Sequence, residues 1–148
     1  MSTGTRGRKG GQTVIETVLW LLFILFVIFF IVEGARAWYL KSSLNNAVRV
    51  AVRQAVVNPN LGTLLIANEP CPSGNEIVNT VCTSPGVPNT AKTKVSVVLL
   101  PPDIGPSGPS TGDIIRVNAT TVFESVVPNL LPVFHGINVS SSAAMRYE

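Results

Sequence analysis

An uncharged apolar run near the N-terminus most constrains what this chain can fold into. Residues 17–32 contain no charged side chain, and extending the run back to Val14 adds only Glu16 as an interruption. The resulting stretch of about 19 residues would form a helix of about 28 Å, close to the hydrocarbon thickness of a bilayer. No Gly or Pro interrupts it. A core helix of a soluble domain is disfavoured, because the remaining residues could not surround it on all sides.

Composition and charge placement indicate a membrane protein whose N-terminus is cytoplasmic. Of the 148 residues, 46% are hydrophobic and 13% are charged, whereas soluble domains carry about 25% charged residues. Arg6, Arg8 and Lys9 precede the apolar run, and the 8 remaining of the 11 basic residues balance the 8 acidic ones. The positive-inside rule therefore places the C-terminal part of the chain outside. No basic stripe with interleaved aromatic residues supports nucleic-acid binding.

The helix is predicted to continue beyond the membrane. The stretch that follows the run contains no Pro before Pro59, and its apolar residues recur every three to four positions. The sequence thus predicts one helix of about 43 residues, with a membrane-spanning part over 12–33 and an amphipathic part over 34–57. The apolar positions of the amphipathic part are Leu40, Leu44, Ala47, Val48, Ala51, Val52, Ala55 and Val56.

Residues 58–148 predict an external β domain with three or four strands. Segments that alternate with period two and are rich in β-branched residues lie at 94–100, 113–123 and 137–147. We expect the apolar side of the outer helix to pack on an antiparallel sheet of these strands, which gives an α+β fold. Small Ser141 and Ala143 would allow a close approach. The apolar connection within 123–136 is expected to pack on this helix or to touch the membrane surface.

The segment between the helix and the first of these strands, residues 58–92, is predicted to be irregular because several Pro residues interrupt it. Cys71 and Cys82 lie within it. In an oxidising compartment we expect them to form a disulfide, which would stabilise an otherwise coreless loop by up to roughly 3 kcal/mol. Two free thiols are the alternative. A zinc site is not expected, since only His135 could add a ligand and no CxxC motif occurs.

The residues before the apolar run suggest a function. A basic leader is followed by Gly10 and Gly11, and Glu16 is the fifth residue after Gly11. A carboxylate near the middle of a bilayer costs about 2.5–3.5 kcal/mol on insertion scales, so an acid in such a helix indicates a functional role. Alternatively, Glu16 lies among the headgroups or stabilises the helix N-terminus. The whole pattern resembles the class III signal of type IV pilins and pseudopilins.

This resemblance implies that a prepilin peptidase removes residues 1–11 by cutting between Gly11 and Gln12. The new ammonium of Gln12, often methylated in this class, would pair with Glu16 of a neighbouring subunit. At about 4 Å and an effective dielectric of 20, such a pair attracts by about 4 kcal/mol before desolvation, which offsets much of it. A secretory signal cut after Ala37 is the alternative, but the run exceeds the usual length and the helix continues through that site.

The resemblance extends to the TadE-like family of minor pseudopilins, over roughly residues 8–57 and 113–148. It is carried by the residues that follow the apolar run and by those that end the chain, Gly34-Ala35-Arg36-Ala37-Trp38-Tyr39 and Ser141-Ser142-Ala143-Ala144-Met145-Arg146-Tyr147-Glu148. The family implies a type IV pilin-like fold. It also implies a structural role in assembly or secretion by the tight adherence (Flp) pilus system, with other pilins and the pilus machinery as partners.

Two departures argue for a minor component over the main filament subunit. Thr17 stands where major Flp pilins have Tyr, and those pilins are far shorter. The protein would be a single-pass membrane protein that can enter an extracellular pilus. A permanently tethered binding or adhesion domain is the alternative function. Catalysis, cofactors and metals are not expected, because Ser141 and Ser142 lack a His/Asp constellation and no Gly-rich phosphate loop occurs.

Overall fold

The computed structural model describes residues 9–57, 66–100, 111–126 and 136–147. Within these ranges a long helix packs on one four-stranded antiparallel sheet of order β1-β2-β3-β4. The elements, in chain order, are α1 (Lys9–Val57), β1 (Ile66–Pro70), α2 (Glu76–Cys82), β2 (Lys94–Leu100), β3 (Ile114–Phe123) and β4 (Ile137–Arg146). The α+β fold predicted from the sequence is therefore confirmed.

Helix α1 is longer at its N-terminal end than the sequence predicts. It runs for 49 residues without a break, or about 74 Å. Gly10 and Gly11, which precede the predicted helix, are themselves helical. Each glycine costs about 1 kcal/mol relative to Ala in a helix, but extending an existing helix needs no new nucleus. The apolar segment that follows therefore carries the helix back to Lys9.

The outer half of α1 buries one side against the sheet. Its apolar residues at the predicted three-to-four spacing are all buried except Val56, which is partly buried. Side chains of Leu or Val size contribute about 1.5–3 kcal/mol each when fully buried. The fully buried ones, which dominate this contact, are Leu44, Val48 and Val52.

The sheet presents its alternating apolar positions to α1 and α2. Strands β2 and β3 pair without a bulge, from Lys94 opposite Thr120 to Leu100 opposite Ile114. The inward-facing side chains, all buried, are Val95, Val97, Leu99, Ile115, Val117, Ala119, Thr121 and Phe123. These are the faces that the period-two patterns predict. The apolar side chains from Val95 to Ala119 among them form one core with the stripe on α1.

Strand β4 is attached to α1 through polar contacts. The hydroxyl of Ser141, a buried residue, donates a hydrogen bond to Oδ1 of Asn45. The ammonium of Lys41 donates to the backbone carbonyl of Ser140. Because Lys41 and Asn45 are four residues apart, they lie on the same side of α1 and hold two consecutive residues of β4. As predicted, small Ser141 faces the helix.

Residues 66–92, the described part of the segment before β2, are not irregular throughout, which corrects the prediction of an irregular connection there. They contain β1 and α2, and α2 buries Ile77, Val78 and Val81 in the core. Oδ1 of Asn75 caps α2 by accepting from the backbone N–H groups of Ile77 and Val78 at 3.0 and 3.3 Å. In β1 the pairing register shifts between Ile66 and Glu69, so the strand lacks a readable alternation.

Some of the predictions concern residues that the structure does not describe. These residues are 1–8, 58–65 and the predicted loop at 101–110. Of the apolar connection within 123–136, residues 127–135 are also among them, so its expected packing stays a prediction.

Gly86 lets the loop after α2 approach α1 closely. Its φ is +79°, and a Cβ at this position would lie 2.8 Å from both Oγ of Ser43 and Cε1 of Tyr39. The same loop is held by the hydroxyl of Ser43, which donates to the backbone carbonyl of Pro85. Both the backbone conformation and the space at this position therefore require glycine.

Replacing Gly86 by Ala should therefore lower the free energy of unfolding of the external domain by about 1–3 kcal/mol. Urea unfolding of the full chain in detergent would measure the change, with hydrogen exchange of the β2 and β3 amides as the readout. Gly74→Ala is the matched control, because a Cβ there meets nothing within 4 Å. Equal midpoints for the two variants would contradict the close approach.

Candidate membrane and assembly site

The first half of α1 exposes its apolar side chains on all sides. The large apolar residues of the segment 14–32 are each between 37% and 66% exposed. Within the part of the chain that the structure describes, α1 is the one helix whose length and composition would let it cross a membrane. A single apolar surface of this size is unstable in water. Lipid, or the apolar helices of other subunits, must cover it.

The sequence-predicted site residues Gly11, Gln12 and Glu16 lie together in the first two turns of α1. Gln12 and Glu16 are four residues apart and therefore lie on the same side of the helix. The Cα–Cβ bonds of a helix tilt toward its N-terminus, so the exposed side chain of Glu16 leaves the helix in the direction of Gln12. This arrangement brings an acid within about one turn of the peptide bond between Gly11 and Gln12.

That peptide bond is helical. An enzyme that binds an extended backbone would have to unwind about one turn of α1, and the two glycines lower the cost of doing so.

Cys71 and Cys82 lie apart from this site, in the external domain. They form a disulfide whose Cα atoms are 5.7 Å apart. Both are buried, and the bridge joins the residue after β1 to the last residue of α2. From the sequence, the disulfide was predicted to stabilise a loop that has no core of its own. Instead it is part of the core that α2 forms with α1.

The oxidised protein should have an intact mass about 2 Da below that of the reduced protein, since bond formation removes two hydrogen atoms. Replacing both Cys71 and Cys82 by Ser should lower the free energy of unfolding by about 2–3 kcal/mol. The comparison needs urea unfolding of the wild-type chain with and without reductant. If reductant leaves the wild-type midpoint unchanged, the bridge contributes nothing to stability.

Glu33 has a structural role that was not predicted from the sequence. This residue is only 3% exposed. Both of its carboxylate oxygens accept from Nη1 of Arg36 at 3.2 Å, and Oε1 also accepts from the backbone N–H of Val126 at 3.0 Å. The guanidinium of Arg36 lies 5.6 Å from the ring centroid of Phe123. Glu33 therefore ties the end of the apolar segment to the end of β3.

Of these contacts, only the pair of Glu33 with Arg36 could be predicted from the sequence. An acid and a base three residues apart, at the end of an apolar run, are typical of an intrahelical pair. The third partner, Val126, is 93 residues away, and a backbone N–H has no sequence signature. The long-range part of the contact could not be read before the fold was known.

Replacing Glu33 by Ala should remove the acceptor of the Val126 N–H and lower the free energy of unfolding by about 1–3 kcal/mol. Glu33→Gln keeps an acceptor oxygen and should cost less. Hydrogen exchange of the amides at 123–126, in the full chain in detergent, would show the loss of attachment directly. Unchanged protection of the Val126 amide in the Ala variant would show that Glu33 does not hold this segment.

Comparison with known families agrees with the resemblance inferred from the sequence. The family described as TadE-like protein matches residues 11–53. This region includes Gly11, Gln12 and Glu16 and most of the outer half of α1, and it ends before β1. No curated protein and no solved structure matches the chain significantly. The TadE-like resemblance is confirmed over the matched region, and the match does not extend to residues 113–148.

Proposed function

We propose, from the premise that the N-terminal region of this chain is TadE-like over residues 11–53, that the protein is a minor pseudopilin. It would serve as a non-enzymatic component of a tight adherence (Flp) pilus or of a related secretion system. One observation carries the proposal. The first half of α1 is an apolar helix exposed on all sides, and the single acid of its run 14–32, Glu16, is the fifth residue after Gly11.

The single apolar helix fits a single-pass membrane protein. In the proposed orientation, Arg6, Arg8 and Lys9 hold the N-terminus in the cytoplasm. The sheet then lies outside the membrane, where an oxidising compartment would maintain the disulfide between Cys71 and Cys82. Charge and redox chemistry thus favour the same orientation independently.

Processing by a prepilin peptidase would remove residues 1–11 and leave the apolar helix on the mature protein. The cut between Gly11 and Gln12 would create an ammonium one helical turn before Glu16. Because the Glu16 side chain leaves its own helix in the direction of this end, the two charges can pair within one subunit. An isolated subunit would then place a paired acid in lipid, which costs less than an unpaired one.

Assembly would exchange this internal pair for one between subunits. The ammonium of Gln12 on one chain would meet Glu16 of a neighbour while the exposed apolar helices pack together. Both states hold the same charges in an apolar environment, so desolvation contributes little to the difference between them. The apolar contact would drive association, and the charge pair would select the register.

Intact mass of the membrane-extracted protein tests the processing step. Protein from cells that contain a prepilin peptidase should begin at Gln12, with or without an added methyl group. Gly11→Leu should block the cut, because a bulky side chain then replaces the small residue at the cut itself. Cleavage of the Gly10→Leu chain should be impaired less. A chain that begins at Trp38 would indicate a secretory signal, and one that keeps Ser2 would refute processing.

The charge pair is tested by Glu16→Gln, which keeps size and polarity but removes the charge. We expect normal cleavage and at least a roughly tenfold loss of the protein from the assembled pilus fraction, which is the effect of about 1.4 kcal/mol. Glu69→Gln, in β1 of the external domain, is the control for loss of one acid. Full incorporation of the Glu16→Gln chain would rule out the pairing.

A permanently tethered external binding domain is the second candidate. The observation that favours it is that α1 passes as a regular helix through the bond between Gly11 and Gln12. Such a protein would keep its leader and would not co-purify with other pilins. The mass measurement separates the two functions.

A further inference from the structure

Where α1 leaves its apolar segment, the external domain forms a cleft of about 470 Å³ with the helix. Its walls come from the outer half of α1, from the loop between α2 and β2, and from the end of β3. The lining residues that matter here are Arg36, Tyr39, Lys92, Phe123 and Glu124. This volume is within the range of small-molecule sites, which is about 300–1,000 Å³.

The cleft lies at the depth of lipid headgroups if α1 crosses the membrane as proposed above. Arg36 is four residues beyond Val32, the last residue of the apolar run, and so about 6 Å further along the helix. The headgroup layer on each side of a bilayer is roughly 5–7 Å thick. Val126, at the same end of the domain, exposes 69% of its apolar side chain. In the proposed membrane insertion, this end of the domain faces the bilayer.

The charges around the cleft include two cations and one accessible carboxylate. Arg36 is 45% exposed, and both of its hydrogen bonds to Glu33 are donated by Nη1. A guanidinium has five N–H donors, and those on Nε and Nη2 take part in neither bond. Lys92 forms an ion pair with Glu124, with side chains 57% and 54% exposed. An ion pair this exposed contributes little to stability because water screens it, so a ligand can rearrange it easily.

We infer that this cleft binds the headgroup of an aminophospholipid, which carries one phosphate and one primary ammonium. The phosphate would accept hydrogen bonds from Arg36 and Lys92. The ammonium would donate to Glu124, whose carboxylate accepts several hydrogen bonds at once. Tyr39 and Phe123 would contact the glycerol and the start of the acyl chains. The inference rests on the proposed membrane insertion and adds a specific lipid to it.

Charge matching selects this headgroup among the common ones. A phosphatidylcholine headgroup carries a phosphate, but its quaternary ammonium has no N–H to donate to Glu124. A phosphatidylglycerol headgroup carries a phosphate and no cation, so Glu124 would repel it. The ethanolamine headgroup satisfies all three charged residues of the cleft.

Native mass spectrometry of the full chain, released from nanodiscs that contain equal amounts of phosphatidylethanolamine, phosphatidylcholine and phosphatidylglycerol, tests the inference. We expect phosphatidylethanolamine to be retained about fivefold over the other two. Lys92→Gln should lower this retention, whereas Lys94→Gln, an equal charge change on the opposite side of the sheet, should not. Glu124→Gln should abolish the preference for ethanolamine over glycerol.

These outcomes separate the lipid site from the proposed function. Equal retention of the three lipids, or equal effects of Lys92→Gln and Lys94→Gln, would overturn the lipid site alone. A chain that does not enter nanodiscs would overturn membrane insertion, and the lipid site with it. Free inorganic phosphate added to the detergent-solubilised protein should not protect the cleft from hydrogen exchange. If it does, the site recognises phosphate and not a lipid.

Discussion

The contact between the outer half of α1 and the sheet is the interaction on which the rest of the structure depends. A helix in a protein gains most of its stability by packing its apolar side against other elements. The outer half of α1 obtains this packing from β3, β4 and α2, around Leu44, Val48 and Val52. The apolar side of the sheet is in turn covered by α1 and α2, so neither the helix nor the sheet would be stable without the other.

The two halves of α1 therefore require two different environments. The first half presents apolar side chains in every direction and requires an apolar environment. The second half presents one apolar side and suits an aqueous compartment. Glu33 marks the boundary, since it is a buried acid whose carboxylate is held by Arg36 and by the N–H of Val126. This contact gives the change of environment a fixed place along the helix.

The parts of the fold that were predictable are those with a sustained period. The stripe from Leu40 to Ala55 and the alternation of β2 and β3 each repeat often enough to identify an element and its buried side. Helix α2 has only seven residues, and β1 has five with a shift in register. Neither contains enough repeats for a period to be seen, so the sequence suggested a loop.

The same distinction between local patterns and long-range contacts applies to the candidate site. Gly11, Gln12 and Glu16 form a local pattern that can be read in five consecutive positions after the glycine. The contact of Glu33 with Val126 and the cleft beside Arg36 are built from segments distant in the chain. They depend on how β3 ends against α1, which no local pattern specifies. The residues proposed for processing could therefore be predicted from the sequence, whereas those that attach the domain to its helix could not.

The unbroken course of α1 has a mechanical consequence. A rod of 49 residues, fixed to the sheet along its outer half, transmits any rotation in the bilayer to the whole external domain. Membrane helices tilt by about 20° on average, and over the outer half of α1 such a tilt would displace the far end by roughly 12 Å. The position of the domain above the membrane is thus governed by the angle of the segment below it.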